Sequence, residues 1–124
     1  MRSTLFVLAL LFSAVLGPSA ARAADLQHGA QLFQACAACH NDRPDATGPS
    51  LKGIVGRKAG GRDDFRYSPA MQRAGFNWTP TNLKDYLRDP QAKVKGNRMP
   101  FSGMASDADI DDLIAYLASL GKEK

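Results

Sequence analysis

The sequence predicts a small all-α domain, and three observations carry that expectation. Apolar residues recur at helical spacing near both ends of the chain. No stretch alternates apolar and polar as a half-buried strand does. The segments between are rich in Gly, Pro, Asp and Arg and show no period. The chain has 124 residues, enough for one domain.

The first element is a leader. Arg2 supplies a positive start, Leu5 to Leu16 is an apolar run, and Ala21-Arg22-Ala23 is a small-x-small cleavage pattern. The apolar run falls short of the ~20 residues that a membrane span needs. Residues 1–23 therefore read as a cleaved secretory signal, with an uncleaved N-terminal anchor as the alternative, and residues 24–124 as a single domain. That organisation implies export to the periplasm with no stable membrane insertion after cleavage. Cleavage removes Arg2 and Arg22, so much of the formal net charge of +4 belongs to the leader. The remaining domain is small enough that its core needs a supplement.

Residues 25–38 read as the first helix, with Leu26, Gly29, Ala30 and Phe33 on one face. Gly29 would let another backbone come close. Residues 41–66 form a loop long enough to demand something to wrap. Ser68-Pro69 and Gly75 bracket a short helix. Thr79-Pro80 opens another, which runs through Leu83, Tyr86 and Leu87 and stops before Pro90. Residues 91–105 again have little period. Ser106 caps the clearest helix, whose start is favoured by Asp107, Asp109, Asp111 and Asp112. Its stripe is Ile110, Leu113, Ile114, Leu117 and Leu120, and Gly121 ends it. The two end helices have no nearby cover for their apolar faces, so they are expected to pack on each other.

The chemistry concentrates in Cys36-Ala37-Ala38-Cys39-His40, which holds both cysteines. A disulfide at this spacing would close a tiny loop and gain little entropy. A thioredoxin-like redox pair belongs at the start of a helix after a strand, and this pair follows a helix. A structural zinc needs four ligands, and His28 is the one other histidine. Covalent haem attachment needs two thiols at this spacing, each adding to one vinyl group, with the adjacent imidazole beneath the iron. Haem is the reading these residues favour, and it would supplement the core and occupy the long loops.

A second axial ligand would come from a methionine. Met71 lies in a short helix, where core filler or surface is the ordinary fate. Met99 and Met104 both lie in the irregular segment before the last helix. Met99 is the better candidate, since it follows the flexible Lys95-Gly96-Asn97-Arg98 and precedes the stiff Pro100, but Met104 also fits as an apolar wall.

At this point the chain resembles the class I cytochromes c, the group of mitochondrial cytochrome c and bacterial cytochromes c2. The resemblance runs from about Asp25 to Leu120. CAACH matches the haem-attachment motif. GPSL at Gly48–Leu51, GRKAG at Gly56–Gly60, YSPAM at Tyr67–Met71, Trp78, YLRDP at Tyr86–Pro90, GNRMPFSGM and DLIAYL follow in the family's order. The resemblance implies the class I fold, with crossing end helices and short helices and loops wrapped around one haem c. It implies covalent attachment through Cys36 and Cys39, and iron held by His40 and Met99. It further implies that the Pro49 carbonyl accepts a hydrogen bond from His40 and that Tyr86 approaches the Met99 sulfur. Arg57, Tyr67, Trp78 and Asn97 would hold a haem propionate. Gly29 and Phe33 would pack on Leu113 and Tyr116. The chain departs from the mitochondrial pattern at Met71, Lys95 and Asn97, which stand for asparagine, proline and threonine. His28 matches no role and reads as surface.

The implied function is that of a soluble exported carrier of single electrons between redox protein complexes, a monomer and not an enzyme. Basic residues gather between Lys52 and Arg98, and acidic ones flank them, so Arg98, Lys95, Lys93 and Lys52 are candidates for a docking face near the haem edge. No basic run suits nucleic acid. Two rival classes are a peroxidase-like haem enzyme or small-gas binder with a labile methionine ligand, and a fixed electron-transfer subunit of a larger dehydrogenase or oxidase.

Overall fold

The computed structural model describes residues 13–18 and 22–121. Most of the predicted leader lies outside the described residues. Five helices follow one another: α1 Leu26–Ala37, α2 Pro69–Gln72, α3 Pro80–Arg88, α4 Pro90–Lys93 and α5 Asp107–Ser119. Each start is chemically marked. The side chains of Asp25, Ser68, Thr79, Asp89 and Ser106 accept from the backbone N–H groups of His28, Met71, Asn82, Ala92 and Asp109. Proline opens α2, α3 and α4, where its missing N–H costs nothing. Helix α4 falls in a stretch that shows no period, because a single turn is too short to have one.

Helix α5 packs across α1 and against α3, and α3 packs against α4. The crossing with α1 is possible because residue 29 is glycine. A Cβ there would lie 2.2 Å from the Asp112 carbonyl oxygen and 2.8 Å from the Tyr116 Cβ. One turn on, the Phe33 and Tyr116 rings meet at 5.2 Å. The expected α5 stripe is buried at Ile110, Leu113, Ile114 and Leu117. The α1 stripe is displaced by one turn from expectation: Gly29, Leu32, Phe33 and Cys36 face the core, while Leu26 is 52 % exposed. Leu26 is the first helical residue, and its side chain lies at the edge of the face that Gly29, Leu32, Phe33 and Cys36 turn to the core.

The core extends through Ile54, Met71, Trp78, Leu83, Tyr86, Leu87 and Val94. Met71 is thus core filler. The long loop is a series of turns, with Ile54 N–H donating to the Leu51 carbonyl and Arg57 N–H to the Ile54 carbonyl. An isolated antiparallel bridge, Lys58 with Asn77, ties it to the segment before α3. Among the described residues no helix is long and apolar enough to cross a membrane.

One expectation is corrected at the crossing. His28 is not an idle surface side chain: its Nδ1 lies 2.8 Å from Oδ2 of Asp112. Asp112, expected to serve the helix dipole, is wholly buried.

Candidate haem site

The site begins where α1 stops. Cys36 lies in its last turn and Cys39 just beyond, and the backbone N–H groups of Cys39 and His40 both donate to the Cys36 carbonyl, at 3.1 and 2.8 Å. This turn continues the helical direction and keeps the two thiols and the imidazole in one short arc. Both thiols are free and half-buried. Burial, and then the neighbouring Cys39, push the Cys36 thiol up, so it stays protonated at neutral pH.

His40 is held through one nitrogen. Its Nδ1 lies 2.7 Å from the Pro49 carbonyl oxygen. A carbonyl can only accept, so Nδ1 carries the proton and donates. Burial lowers the ring's basicity, opposed by the Pro49 bond, and the ring is therefore neutral at pH 7 with a bare lone pair on Nε2. Gly48 makes the seat. A Cβ there would lie 2.6 Å from the ring's Cε1 and 2.8 Å from Nδ1. Gly48 N–H donates to the Cys39 carbonyl at 2.9 Å, which brings the loop back over the motif. The motif GPSL was the only trace of Gly48's role in the sequence.

The Met99 segment is a strap between α4 and α5. Met99 is half-buried and packs against the core. The Tyr86 hydroxyl, on α3, lies 3.9 Å from the Met99 sulfur and 3.3 Å from Oδ1 of Asn97. Burial pushes the Tyr86 phenol up to about 12, so it remains a donor. Met104 also packs on the core, and its N–H donates to the Leu87 carbonyl at 2.8 Å.

Asn97 corrects an expectation. Its side-chain amide donates to the Pro90 and Val94 carbonyls at 3.0 and 2.9 Å, and its oxygen accepts from Tyr86 and from Met99 N–H at 3.0 Å. An asparagine has two donor hydrogens and two acceptor lone pairs. All four are used, so Asn97 has none to spare for a propionate. It ties α4, α3 and the strap together at a buried position.

Of the other residues expected at a propionate, Arg57 is tied to Trp78 through the backbone and lies near Tyr67. Arg57 donates to the carbonyls of Ser50 and Lys52 at 2.8 and 3.0 Å. Its backbone is bound to Trp78, whose N–H donates to the Arg57 carbonyl at 2.8 Å. Trp78 is buried with its ring against Phe76 and Tyr86. Burial pushes the Tyr67 phenol up, while the backbone amide of Arg62 and the guanidinium groups of Arg57 and Arg62 pull it down. Tyr67, Arg57 and Arg62 therefore share one electrostatic neighbourhood. Arg62 was not singled out by sequence, because an arginine between glycine and aspartates looks like any surface cation.

Two unpaired thiols on one arc and a neutral imidazole with a free nitrogen match what a tethered haem requires, and a thioether facing a phenol suits its iron. Comparison with known proteins agrees. The family model for cytochrome c matches residues 26–121. Cytochrome c2 of Agrobacterium tumefaciens is 42 % identical over 99 residues, covering 75 % of this chain and 89 % of that protein. Cytochrome c2 of Blastochloris viridis is 39 % identical over 120 residues, covering 94 % and 92 %. Among solved structures, cytochrome cH from Methylobacterium extorquens superposes with a TM-score of 0.73 at 43 % identity, covering 77 % of this chain and 98 % of that one. The chain belongs to the cytochrome c family, and it is an electron carrier whose cofactor is a covalently attached haem c.

Proposed function

We propose that the chain is an exported shuttle for single electrons between redox protein complexes, with His40 and Met99 as the two axial ligands and Cys36 and Cys39 as the tethers. The observation that carries this reading is the His40–Pro49 bond, which leaves one imidazole nitrogen bare beside two unpaired thiols. A haem held there supplies a reversible one-electron iron couple, and a methionine sulfur ligand favours its reduced state. His40 donates its Nδ1 proton to Pro49, which fixes the ring and strengthens the other nitrogen as a donor. Tyr86 orients its hydroxyl toward the Met99 sulfur, and Asn97 holds the strap that carries it. Two protein ligands leave no vacant position for oxygen or peroxide, which favours a carrier over an enzyme. Arg57, Tyr67 and Trp78 are the residues suited to a propionate, and Arg62, whose guanidinium is forked onto Asp64 at 2.8 and 2.6 Å, adds positive charge beside them.

The docking face is narrower than the charge pattern implies. Lys93 is engaged by Asn82 and Asp85, 2.9 and 3.2 Å away, and lies over the Phe76 ring. Lys52 is paired with Asp42. Lys95 and Arg98 are exposed on the strap itself, Arg98 with one arm on the Tyr67 carbonyl at 2.9 Å, and neither is neutralised by a carboxylate partner among the described residues, so they are the cations best placed for an acidic partner. Such contacts are short-lived and weaken with salt. Release into the periplasm after cleavage at Ala23 is supported by the leader pattern and by Val15 and Leu16, 90 % and 95 % exposed and so not part of the domain's core.

The test is the sulfur-to-iron charge-transfer absorption of the ferric protein. Met99→Ala should abolish it and Met104→Ala should retain it; the opposite pair of results would transfer the ligand role to Met104.

A further inference from the structure

Asp112 is a carboxylate with no exposed surface, set in the crossing of α1 and α5. Its Oδ1 accepts from Arg22 at 3.0 Å and from Asp25 N–H at 2.8 Å. Its Oδ2 accepts from the second arm of Arg22 at 3.0 Å and from His28 at 2.8 Å. The Arg22 contact is a two-armed fork, the strongest form such a pair takes. Asp109 stands 3.9 Å from the same His28 nitrogen. On the other side of α5, Lys84 and Arg88 of α3 engage Asp111 and Asp107 and not Asp112.

Arg22 lies on the leader side of the expected cut. Cleavage after Ala23 removes the fork, with the cover Arg22 gives, and leaves the carboxylate one amide N–H and a histidine. A carboxylate in a helix crossing that loses its charged partner costs stability. The same cut creates a new cation, the α-ammonium of Ala24. That nitrogen is one residue before Asp25 N, which already touches Oδ1, so it lies within about 3.6 Å, a single residue's reach, of an atom in contact.

We propose that Asp112 is a seat for the protein's own N-terminus: Arg22 occupies it in the uncleaved chain, and the Ala24 ammonium occupies it once the leader is removed. The proposal rests on the reading of residues 1–23 as a cleaved leader. Processing then exchanges one cation for another over the same carboxylate, and the crossing of the end helices keeps its charge balance. In the uncleaved chain, Arg22 first, then Asp25 N–H and then His28 hold the Asp112 carboxyl well below the usual carboxylate range, and His28 is raised mainly by Asp112.

The experiment uses the reduced, haem-loaded protein purified from an exporting host. Its intact mass first reports whether the chain starts at Ala24; a chain that keeps Arg22 overturns both the leader reading and the exchange. In protein that does start at Ala24, the terminal amine is titrated by NMR with alanine labelled. An unpartnered α-amine titrates at ~7.7–8.0. Seated on Asp112 it should titrate about one unit higher, and Asp112→Asn should return it to the ordinary range. An amine already in the ordinary range, and unmoved by the substitution, overturns the seat while leaving the leader reading intact. Should Asp112→Asn fail to fold, Gly-Ser inserted between Ala23 and Ala24 moves the ammonium away from the carboxylate. The insertion should lower the thermal midpoint at neutral pH, and the difference should vanish as pH rises through the raised value, where the amine loses its proton and its contribution. Equal midpoints at neutral pH overturn the proposal.

Discussion

The supports of His40 and Met99 are built in opposite ways. His40 follows directly from the end of α1, and its ring is fixed by one short bond to a carbonyl nine positions along the chain. Everything needed lies between Cys36 and Pro49. Met99 has no helix of its own. Its strap hangs on Asn97, which must gather the ends of α4, the Tyr86 hydroxyl and the strap backbone at once. The contacts around its sulfur are longer, 3.9 Å from Tyr86. A ligand held by local chain geometry is as stable as the turn that carries it. A ligand held by a long-range polar knot is as stable as the knot, so the methionine side should yield first under heat, denaturant or substitution.

The strongest way to break this comparison is to crowd each side at its glycine. Gly103 has φ +115°, in the left-handed region, and a Cβ there would meet the Arg88 carbonyl oxygen at 2.1 Å. Gly103→Ala should cost about 3 kcal/mol or more, since neither backbone can give. At Gly48 the obstacle is the His40 side chain, and Gly48→Ala should cost about 1–3 kcal/mol. Denaturant midpoints rank the two. Equal costs would mean that the strap is no more constrained than the histidine loop.

A smaller effect is expected from Asn97→Ala. It leaves two carbonyls and the Met99 N–H without their partner, at about 1–3 kcal/mol. The charge-transfer absorption should disappear on heating well before the protein unfolds, with histidine ligation retained. Simultaneous loss of both would show that the strap and the histidine loop are one cooperative unit.

The smallest effect concerns the solvated rim. A hydrogen bond from Lys52 holds the Asp42 carboxyl below its ordinary range, beside the His40 loop; one from Arg88 does the same for Asp107 below the strap. A depressed carboxylate contributes its stability above about pH 4 and loses it as pH falls through the folded value. Asp42→Asn should therefore lower the denaturant midpoint slightly at neutral pH and make its decline in acid shallower. High salt should erase the difference. An undiminished effect in high salt would mean that the pair is structural and not a screened surface contact.

The legible part of this protein shares one property. The CAACH arc, the caps at Ser68, Thr79 and Ser106, and the α5 stripe are each decided within a few residues, where spacing alone sets which atoms can meet. Periodicity anticipates that the two end helices pack together, and the family resemblance supplies the particular tie between Gly29 and Tyr116. The stripe of α1 was displaced by one turn, since periodicity finds a face without saying where the neighbouring helix begins to cover it.

What sequence by itself determined was the all-α class, the covalently tethered haem and the pairing of the end helices. Only the tertiary structure decided how the buried polar groups are satisfied. Asn97 exchanged an expected propionate for four bonds inside the protein, and His28 turned from bare surface into a partner of Asp112 across 84 positions. The reason is physical. A buried donor or acceptor must find a partner, but its own residue type does not say which. That choice belongs to whichever distant groups packing brings within three ångströms, and no local spacing contains it.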